Sequence, residues 1–173
     1  MNAEKLSTLI SYVIHAHEKL SKKKDGHIRR WDGKTPYAIH PIWCAMTILT
    51  ETSLPEDVRI VGAEALLLHD VTEDTTAPLF ECSDEVKKLV SELTFTTNDV
   101  SMELIFERSK LAQLLKLYDK VSNFLDGSWR TVEKRKLNLL HIEKLSEKVV
   151  ANFGHLNITK MAQGLLQSEG NDR

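Results

Sequence analysis

Residues 66–75 of this chain read Leu-Leu-Leu-His-Asp-Val-Thr-Glu-Asp-Thr, an apolar helical segment that ends in one histidine and three carboxylates. Asp70, Glu73 and Asp74 are spaced i, i+3 and i+4, so they share one helix face if the helix continues that far. Three neighbouring carboxylates repel one another unless solvent or a cation lies among them. This stretch alone is equally consistent with a metal site and with an acidic helix end in contact with solvent.

Helical periodicity extends outward from this stretch in both directions. Apolar residues recur at three- and four-residue steps near the N-terminus, and again in segments 58–68, 86–93 and 101–126. We expect the first helix to run to about Lys24 and the helix that carries Leu66–Leu68 to run to about Thr72. No segment alternates long enough between apolar and polar residues to predict a strand.

The predicted fold class is therefore all-α. We expect a single domain of about seven or eight helices over residues 1–167, followed by a frayed C-terminal tail over residues 168–173. The length of 173 residues and the 42% of hydrophobic residues are sufficient for one buried core.

The charge balance excludes some classes of partner. The net charge is −2, so we expect no coating of nucleic acid or of an anionic membrane by bulk charge. Cys44 and Cys82 make neither a disulfide framework nor a CxxC site, which is typical of a reducing compartment. The N-terminal segment lacks the short apolar core of a signal peptide. We expect a cytoplasmic protein.

Three further segments carry residues suited to metal binding or phosphate binding. Each of them also has a purely structural interpretation. His40 directly precedes Pro41, which holds it at a helix entrance suited to a metal ligand, although a lone histidine there is more often a surface residue. Asp119 lies in an apolar helix, and its lysine neighbours also fit a helix-surface acid. The loop 26–30, Gly-His-Ile-Arg-Arg, can approach phosphate or form a solvated basic turn.

Together these segments resemble the HD superfamily of metal-dependent phosphohydrolases, in particular the RelA/SpoT hydrolase domain and the small alarmone hydrolases of the metazoan SpoT homologue type. The resemblance rests on the order and spacing of four motifs over residues 15–127. They are Gly26-His27-Ile28-Arg29-Arg30, Pro36-Tyr37-Ala38-Ile39-His40-Pro41, His69-Asp70-Val71-Thr72-Glu73-Asp74-Thr75 and Lys116-Leu117-Tyr118-Asp119-Lys120-Val121-Ser122-Asn123.

The resemblance implies a role for each motif residue. One divalent ion, manganese in most of this family, would be held by His40, His69, Asp70 and Asp119. Glu73 and Asp74 would orient and activate the attacking water, and Arg29 would stabilise charge on the transferring phosphate. Arg30 and Asn123 would bind the nucleotide, while Tyr37 would pack.

The implied activity is removal of the 3′-pyrophosphate from guanosine tetra- or pentaphosphate, the alarmone ppGpp of the stringent response. We expect the protein to bind a small nucleotide, and neither nucleic acid nor a membrane. The sequence is also compatible with a homo-oligomer.

Two departures from the family pattern concern the substrate pocket. His27 replaces the usual glutamine, and Arg135 is followed four residues later by Leu139, where the family commonly has tyrosine. One alternative is therefore an HD phosphatase acting on another nucleotide or on a nicotinamide-cofactor phosphate. A second alternative is a non-catalytic helical binding module with a vestigial site.

Overall fold

The computed structural model describes residues 2–95, 103–127 and 130–170, and confirms the all-α prediction. Across these ranges the chain forms seven helices of ten or more residues, one four-residue helix and one short 3₁₀ turn. The elements are α1 (Ala3–Lys19), α2 (Ile39–Leu49), α3 (Glu56–Leu68), α4 (Val71–Asp74), α5 (Asp84–Leu93), the 3₁₀ turn (Ile105–Glu107), α6 (Lys110–Leu125), α7 (Val132–Phe153) and α8 (Asn157–Gly170).

Local sequence signals set several of the helix ends. The side chains of Asn2, Ser83, Ser109 and Thr131 each accept a hydrogen bond from a backbone N–H in the first turn of the helix that follows. Helix α7 ends before Gly154, whose φ of 78° is readily adopted by glycine. These ends follow from short-range chemistry, since each cap lies next to the helix that it ends or begins.

Two predicted helix ends are wrong, and at the end of α1 long-range contacts replace the helical hydrogen bonds. Helix α1 stops at Lys19 rather than near Lys24, since the Leu20 carbonyl accepts a hydrogen bond from the Thr76 N–H at 2.8 Å. The N–H of Lys22 likewise donates to the Asp74 carbonyl at 2.8 Å. Helix α3 stops at Leu68 rather than near Thr72. The pairing of segments 20–22 and 74–76 fixes the N-terminal loop beside α4.

Helix α6 is the centre of the core and is buried around most of its circumference, as expected for a helix with neighbours on several sides. It packs against α2, α3, α5, α7 and α8. Gly62 of α3 permits the close approach, because a Cβ there would lie 2.7 Å from Ile48 and 3.0 Å from Leu115. A functional side chain on α6 can therefore meet residues from most of the fold.

A buried carboxylate connects α8 to the rest of the core. Glu51, 1% exposed, follows α2 and accepts hydrogen bonds from the backbone N–H groups of Asn157 and Ile158 at 3.0 and 2.9 Å. It also accepts one from the Tyr118 hydroxyl at 3.0 Å. A side chain distant in sequence thus caps the N-terminus of α8, where the helix dipole favours a negative charge.

We expect Glu51→Ala to destabilise the protein by about 2–4 kcal/mol, since three buried donors would lose their acceptor. Urea unfolding monitored by circular dichroism measures this change. Glu18→Ala removes an exposed carboxylate from α1 and should change the free energy of unfolding by less than about 0.5 kcal/mol. Equal stability of the Glu51→Ala variant and the parent would contradict a capping role.

The C-terminal end is helical beyond the predicted domain boundary. Helix α8 continues to Gly170, and Glu169 pairs with Arg135 of α7. The predicted frayed tail thus begins within a helix, and its residues 171–173 lie outside the described part of the chain. None of the helices in the described ranges is long and apolar enough to cross a membrane.

Candidate active site

Two histidines present imidazole nitrogens to one buried point. His40 lies in the first turn of α2, and its Nδ1 is 2.8 Å from the Ser122 hydroxyl of α6. His69 ends α3, and its Nδ1 is 2.7 Å from the Leu66 carbonyl, which only accepts hydrogen bonds. Nδ1 of His69 therefore carries a proton, and its Nε2 is the ring nitrogen that faces the cluster.

Two carboxylates face these nitrogens. Asp119 of α6 places Oδ1 3.3 Å from Nε2 of His40 and 3.9 Å from Nε2 of His69. Asp70, which follows the end of α3, places one oxygen 3.4 Å from Nε2 of His40 and the other 3.1 Å from Nε2 of His69. The four side chains predicted to be metal ligands thus converge from three separate segments.

The charges in this cluster shift the pKa of its members. Burial alone would lower the pKa of His69, but the carboxylates of Asp70 and Asp119 outweigh it and raise the pKa to about 9. Burial would raise the pKa of Asp119, but the Lys116 ammonium and the two imidazoles hold it well below its usual range. Asp119 is therefore ionised at neutral pH and available as an anionic ligand.

The donor set fits a divalent metal ion. His40, His69 and Asp119 each offer one ligand atom, and these atoms lie within 4.8 Å of one another. Nε2 of both histidines is fully buried, and within the described residues no carboxylate that faces it lies in hydrogen-bond geometry. A buried polar atom without a partner is costly, and a cation among these nitrogens and carboxylates would satisfy it.

The two predicted acid–base residues have different surroundings in α4. Glu73 is exposed toward the cleft, and partial burial together with the Asp70 charge raises its pKa. Asp74 instead forms an ion pair with Lys23 at 2.9 Å. Lys22 holds the same turn by donating to the carbonyls of Thr72 and Glu73. A carboxylate with a raised pKa is the better proton acceptor of the two.

A short hairpin positions Arg29 against α6. The Arg29 N–H donates to the Thr35 carbonyl at 2.7 Å, and the guanidinium is 8% exposed. This guanidinium pairs with Asp126 and donates to the Asn123 side-chain oxygen at 3.0 Å. Asn123 in turn donates to Asp119 at 2.5 Å. Asn123 therefore links the predicted phosphate-binding arginine to a predicted metal ligand.

A cleft of about 990 Å³ opens over this cluster, and basic side chains outnumber acidic ones in its walls by eight to five. Arg30 lines it, as do all three carboxylates of the 70–74 segment. Eight basic side chains contribute to its walls within the described chain: Lys23, Lys24, Arg29, Arg30, Lys116, Lys120, Arg130 and Lys134. The near-neutral protein thus concentrates positive charge around one cavity, which favours a polyanionic ligand.

Sequence reasoning missed three side chains that contact the predicted ligands. Lys116 pairs with Asp119 at 2.8 Å, and Ser122 contacts His40. Tyr37 does more than pack, because its hydroxyl donates to Asp70 at 2.8 Å. The i±3 spacing of Lys116 and Ser122 from Asp119 was the available signal, since it places all three on neighbouring parts of one helix surface.

The structure also locates the departures from the family pattern. Arg135 pairs with Glu169 and stacks on Phe124 at 4.7 Å, and Leu139 is buried. Neither residue lines the cleft over the histidine cluster. At the start of α7, Arg130 and Lys134 line the cleft instead.

The all-α fold and the convergent histidine–aspartate cluster define an HD-type metal-dependent phosphohydrolase. Two curated relatives are named guanosine-3′,5′-bis(diphosphate) 3′-pyrophosphohydrolase MESH1. The human protein is 34% identical over 125 residues, covering 66% of this chain and 68% of the relative. The mouse protein is 30% identical over 135 residues, covering 72% of this chain and 70% of the relative. The chain belongs to this MESH1 family of the HD superfamily.

More distant comparisons agree. A probable guanosine-3′,5′-bis(diphosphate) 3′-pyrophosphohydrolase of Mycoplasma pneumoniae is 25% identical, and the match covers 88% of this chain and 23% of that protein. A solved structure, described as a metazoan orthologue of SpoT that hydrolyses ppGpp, superposes with a TM-score of 0.71 over 98% of each chain at 23% identity. This likeness shows the common fold. No protein-family model matches the chain.

Proposed function

We propose that this protein hydrolyses guanosine 3′,5′-bis(diphosphate) to guanosine 5′-diphosphate and pyrophosphate. The observation that carries the proposal is the placement of eight basic side chains around one cleft at the histidine–aspartate cluster. A nucleotide with phosphates on both sides of the ribose is a polyanion that matches such a cleft. The names of the MESH1 relatives state this activity for those proteins. The free cysteines fit the cytoplasmic location that we include in the proposal.

The proposal assigns His40, His69, Asp70 and Asp119 to one manganese ion, since imidazoles and carboxylates together suit a mid-row divalent metal. Such an ion, when bound, polarises a phosphate oxygen and lowers the pKa of water. The second oxygens and nitrogens of these side chains are held by Tyr37, Ser122, Lys116 and the Leu66 carbonyl, which would fix the ligand atoms in place.

In the proposed reaction, Glu73 accepts a proton from water as the water oxygen attacks the phosphorus next to the ribose 3′ oxygen. The bond between that phosphorus and the 3′ oxygen breaks, and the 3′ oxygen leaves with a proton from solvent water. Asp74, paired with Lys23, orients the same turn. In this proposal Arg29 stabilises charge on the transferring group, and Arg30 and Asn123 bind the nucleotide; all three line the cleft.

We expect Arg29→Ala to lower kcat/KM by about 2–4 kcal/mol, the usual cost of removing one transition-state donor. Steady-state kinetics on guanosine 3′,5′-bis(diphosphate) measures the loss. Lys19→Ala removes an exposed cation outside the cleft and is the matched control, with no change expected. An unchanged kcat/KM in Arg29→Ala would mean that Arg29 has only a structural role, through its contacts with Asp126 and Asn123.

One experiment tests the proposed function directly. Purified, manganese-loaded protein is assayed for release of pyrophosphate and of phosphate from guanosine 3′,5′-bis(diphosphate), nucleotide 3′-diphosphates, 5′-diphosphates and phosphomonoesters. We expect guanosine 3′,5′-bis(diphosphate) to give the highest kcat/KM. Turnover of monoesters at equal or greater rates would contradict alarmone hydrolysis.

A second candidate is a phosphatase for a nicotinamide-cofactor phosphate or another nucleotide. The positions of Arg135 and Leu139 outside the cleft favour it, because the wall contributed by α7 differs from the family pattern. The same substrate panel separates the two, since the reduced and oxidised nicotinamide dinucleotide phosphates are included among its monoesters.

A further inference from the structure

The short helix that carries Glu73 has little of its own to hold it in place. Helix α4 consists of four residues, Val71–Asp74, and Val71 is the buried one among them. A helix of this length is not stable by itself, because few hydrogen bonds offset the ordering of its backbone. Glu73, the proposed general base, is exposed and lines the cleft. Its position therefore depends on contacts between α4 and other segments.

The last three carbonyls of α4, at residues 72–74, find no donor in the residues that follow. In a continuing helix each would accept from the N–H four residues later. Here the Thr76 N–H donates to the Leu20 carbonyl at 2.8 Å. The Ala77 N–H donates to the side-chain hydroxyl of the preceding turn at 3.1 Å, and Pro78 has no N–H. These carbonyls need donors from elsewhere in the protein.

Lys22 alone supplies a donor to each of the three carbonyls. It lies in the segment that follows α1, 50 residues before Thr72. Its Nζ donates to the carbonyls of Thr72 and Glu73 at 2.7 and 3.0 Å, and its backbone N–H donates to the Asp74 carbonyl at 2.8 Å. The helix dipole also favours a cation at this end. Lys22 thus caps the C-terminus of α4 from a distant segment.

The Lys22 side chain is separate from the chemistry of the cleft. It is exposed, it does not line the cleft, and within the described chain its two hydrogen bonds go to backbone carbonyls. The adjacent Lys23, in contrast, lines the cleft and pairs with the Asp74 carboxylate. An effect of Lys22 on a reaction in the cleft must therefore pass through the backbone of α4.

We propose that Lys22 is a positioning residue for Glu73, and that its cap on the carbonyls of residues 72–74 fixes the Glu73 carboxylate beside the metal cluster. This inference rests on the proposed function, in which Glu73 accepts the proton of the attacking water. The effect on rate is large, since misplacing a reacting group by about 1 Å lowers the rate about 10²-fold.

The kinetic test uses Lys22→Met, which keeps the backbone N–H and removes both side-chain donors. On the substrate with the highest kcat/KM, we expect kcat to fall about 10- to 100-fold. KM should stay within about twofold, because the walls of the cleft are unchanged. Lys22→Arg keeps a cation with several donors and should restore kcat to within about threefold of the parent. Lys19→Met, an exposed substitution on α1, is the control. A raised KM with an unchanged kcat would overturn the positioning role.

A double-mutant cycle separates positioning of Glu73 from a general loosening of the fold. In the Glu73→Gln background, Lys22→Met should lower kcat by less than about twofold, because no general base remains to be positioned. Metal content after dialysis should be equal in all four proteins, since the Lys22 side chain contacts none of the proposed ligands. The same large loss of kcat in both backgrounds would contradict an action through Glu73.

Hydrogen exchange measured by mass spectrometry tests the cap without any substrate. The N–H groups of Asp74 and Thr75 donate to the carbonyls of Asp70 and Val71 at 2.8 and 3.0 Å, so their protection reports whether α4 stays formed. Lys22→Met should speed the exchange of both amides, and Lys22→Arg should not. A parent protein without turnover would defeat the proposed function, whereas unchanged exchange in Lys22→Met would overturn the cap itself. Faster exchange with a parental kcat would limit Lys22 to a structural role.

Discussion

Asp70→Asn should abolish metal binding and turnover while the fold survives. The substitution keeps the volume of the side chain and an oxygen that can accept the Tyr37 hydrogen bond, but it removes the negative charge that faces His40 and His69. A ligand set with one charge fewer binds a divalent ion more weakly. We expect the loss of metal affinity to exceed roughly 10- to 100-fold, which is the usual effect of removing a residue that hydrogen-bonds to a metal ligand.

Ser122→Ala measures the loss of metal affinity that follows from removing a hydrogen-bond partner of a ligand. It removes the hydroxyl 2.8 Å from Nδ1 of His40 and leaves all four proposed ligands in place. Metal content after dialysis, measured by mass spectrometry, should therefore rank the parent above Ser122→Ala and Ser122→Ala above Asp70→Asn. Full occupancy of the Asp70→Asn variant would remove Asp70 from the ligand set.

Glu73→Gln should keep the metal and lower kcat by about 10²-fold or more, the usual scale for a positioned general base. The substitution conserves size, and Glu73 is not among the residues that surround the two imidazole nitrogens. Because partial burial and Asp70 raise the pKa of Glu73, the activity of the parent should fall as the pH drops through a value above the usual glutamate range. Glu73→Gln should lose that acidic limb of the pH profile.

Asp74→Asn provides the contrast within the same turn. Its carboxylate already pairs with Lys23, so we expect a smaller loss of kcat and an unchanged acidic limb. Near-parental turnover in Glu73→Gln, together with an inactive Asp74→Asn variant, would assign the role of general base to Asp74 instead of Glu73.

The sequence determined the fold class because helix periodicity and capping act over a few residues. Asn2, Ser83 and Thr131 cap the helices that follow them, and Gly154 ends α7 where a positive φ is needed. The motifs also predicted the residues of the histidine–aspartate cluster, since three of the four carry them: His40 in the second, His69 and Asp70 in the third, and Asp119 in the fourth. The boundary at Lys19 escaped prediction because distant backbone groups in segment 74–76 replace the helical hydrogen bonds there.

Only the tertiary structure decided which basic residues share the cleft. Lys120 is one of two lysines flanking Asp119 in the sequence, and nothing local distinguishes it from Lys116. Packing gives Lys116 a carboxylate partner and leaves Lys120 facing the cavity, while the turn after α6 brings Arg130 to the same wall. Burial and the choice of ionic partner depend on contacts between elements far apart in the chain, so local sequence patterns do not predict them.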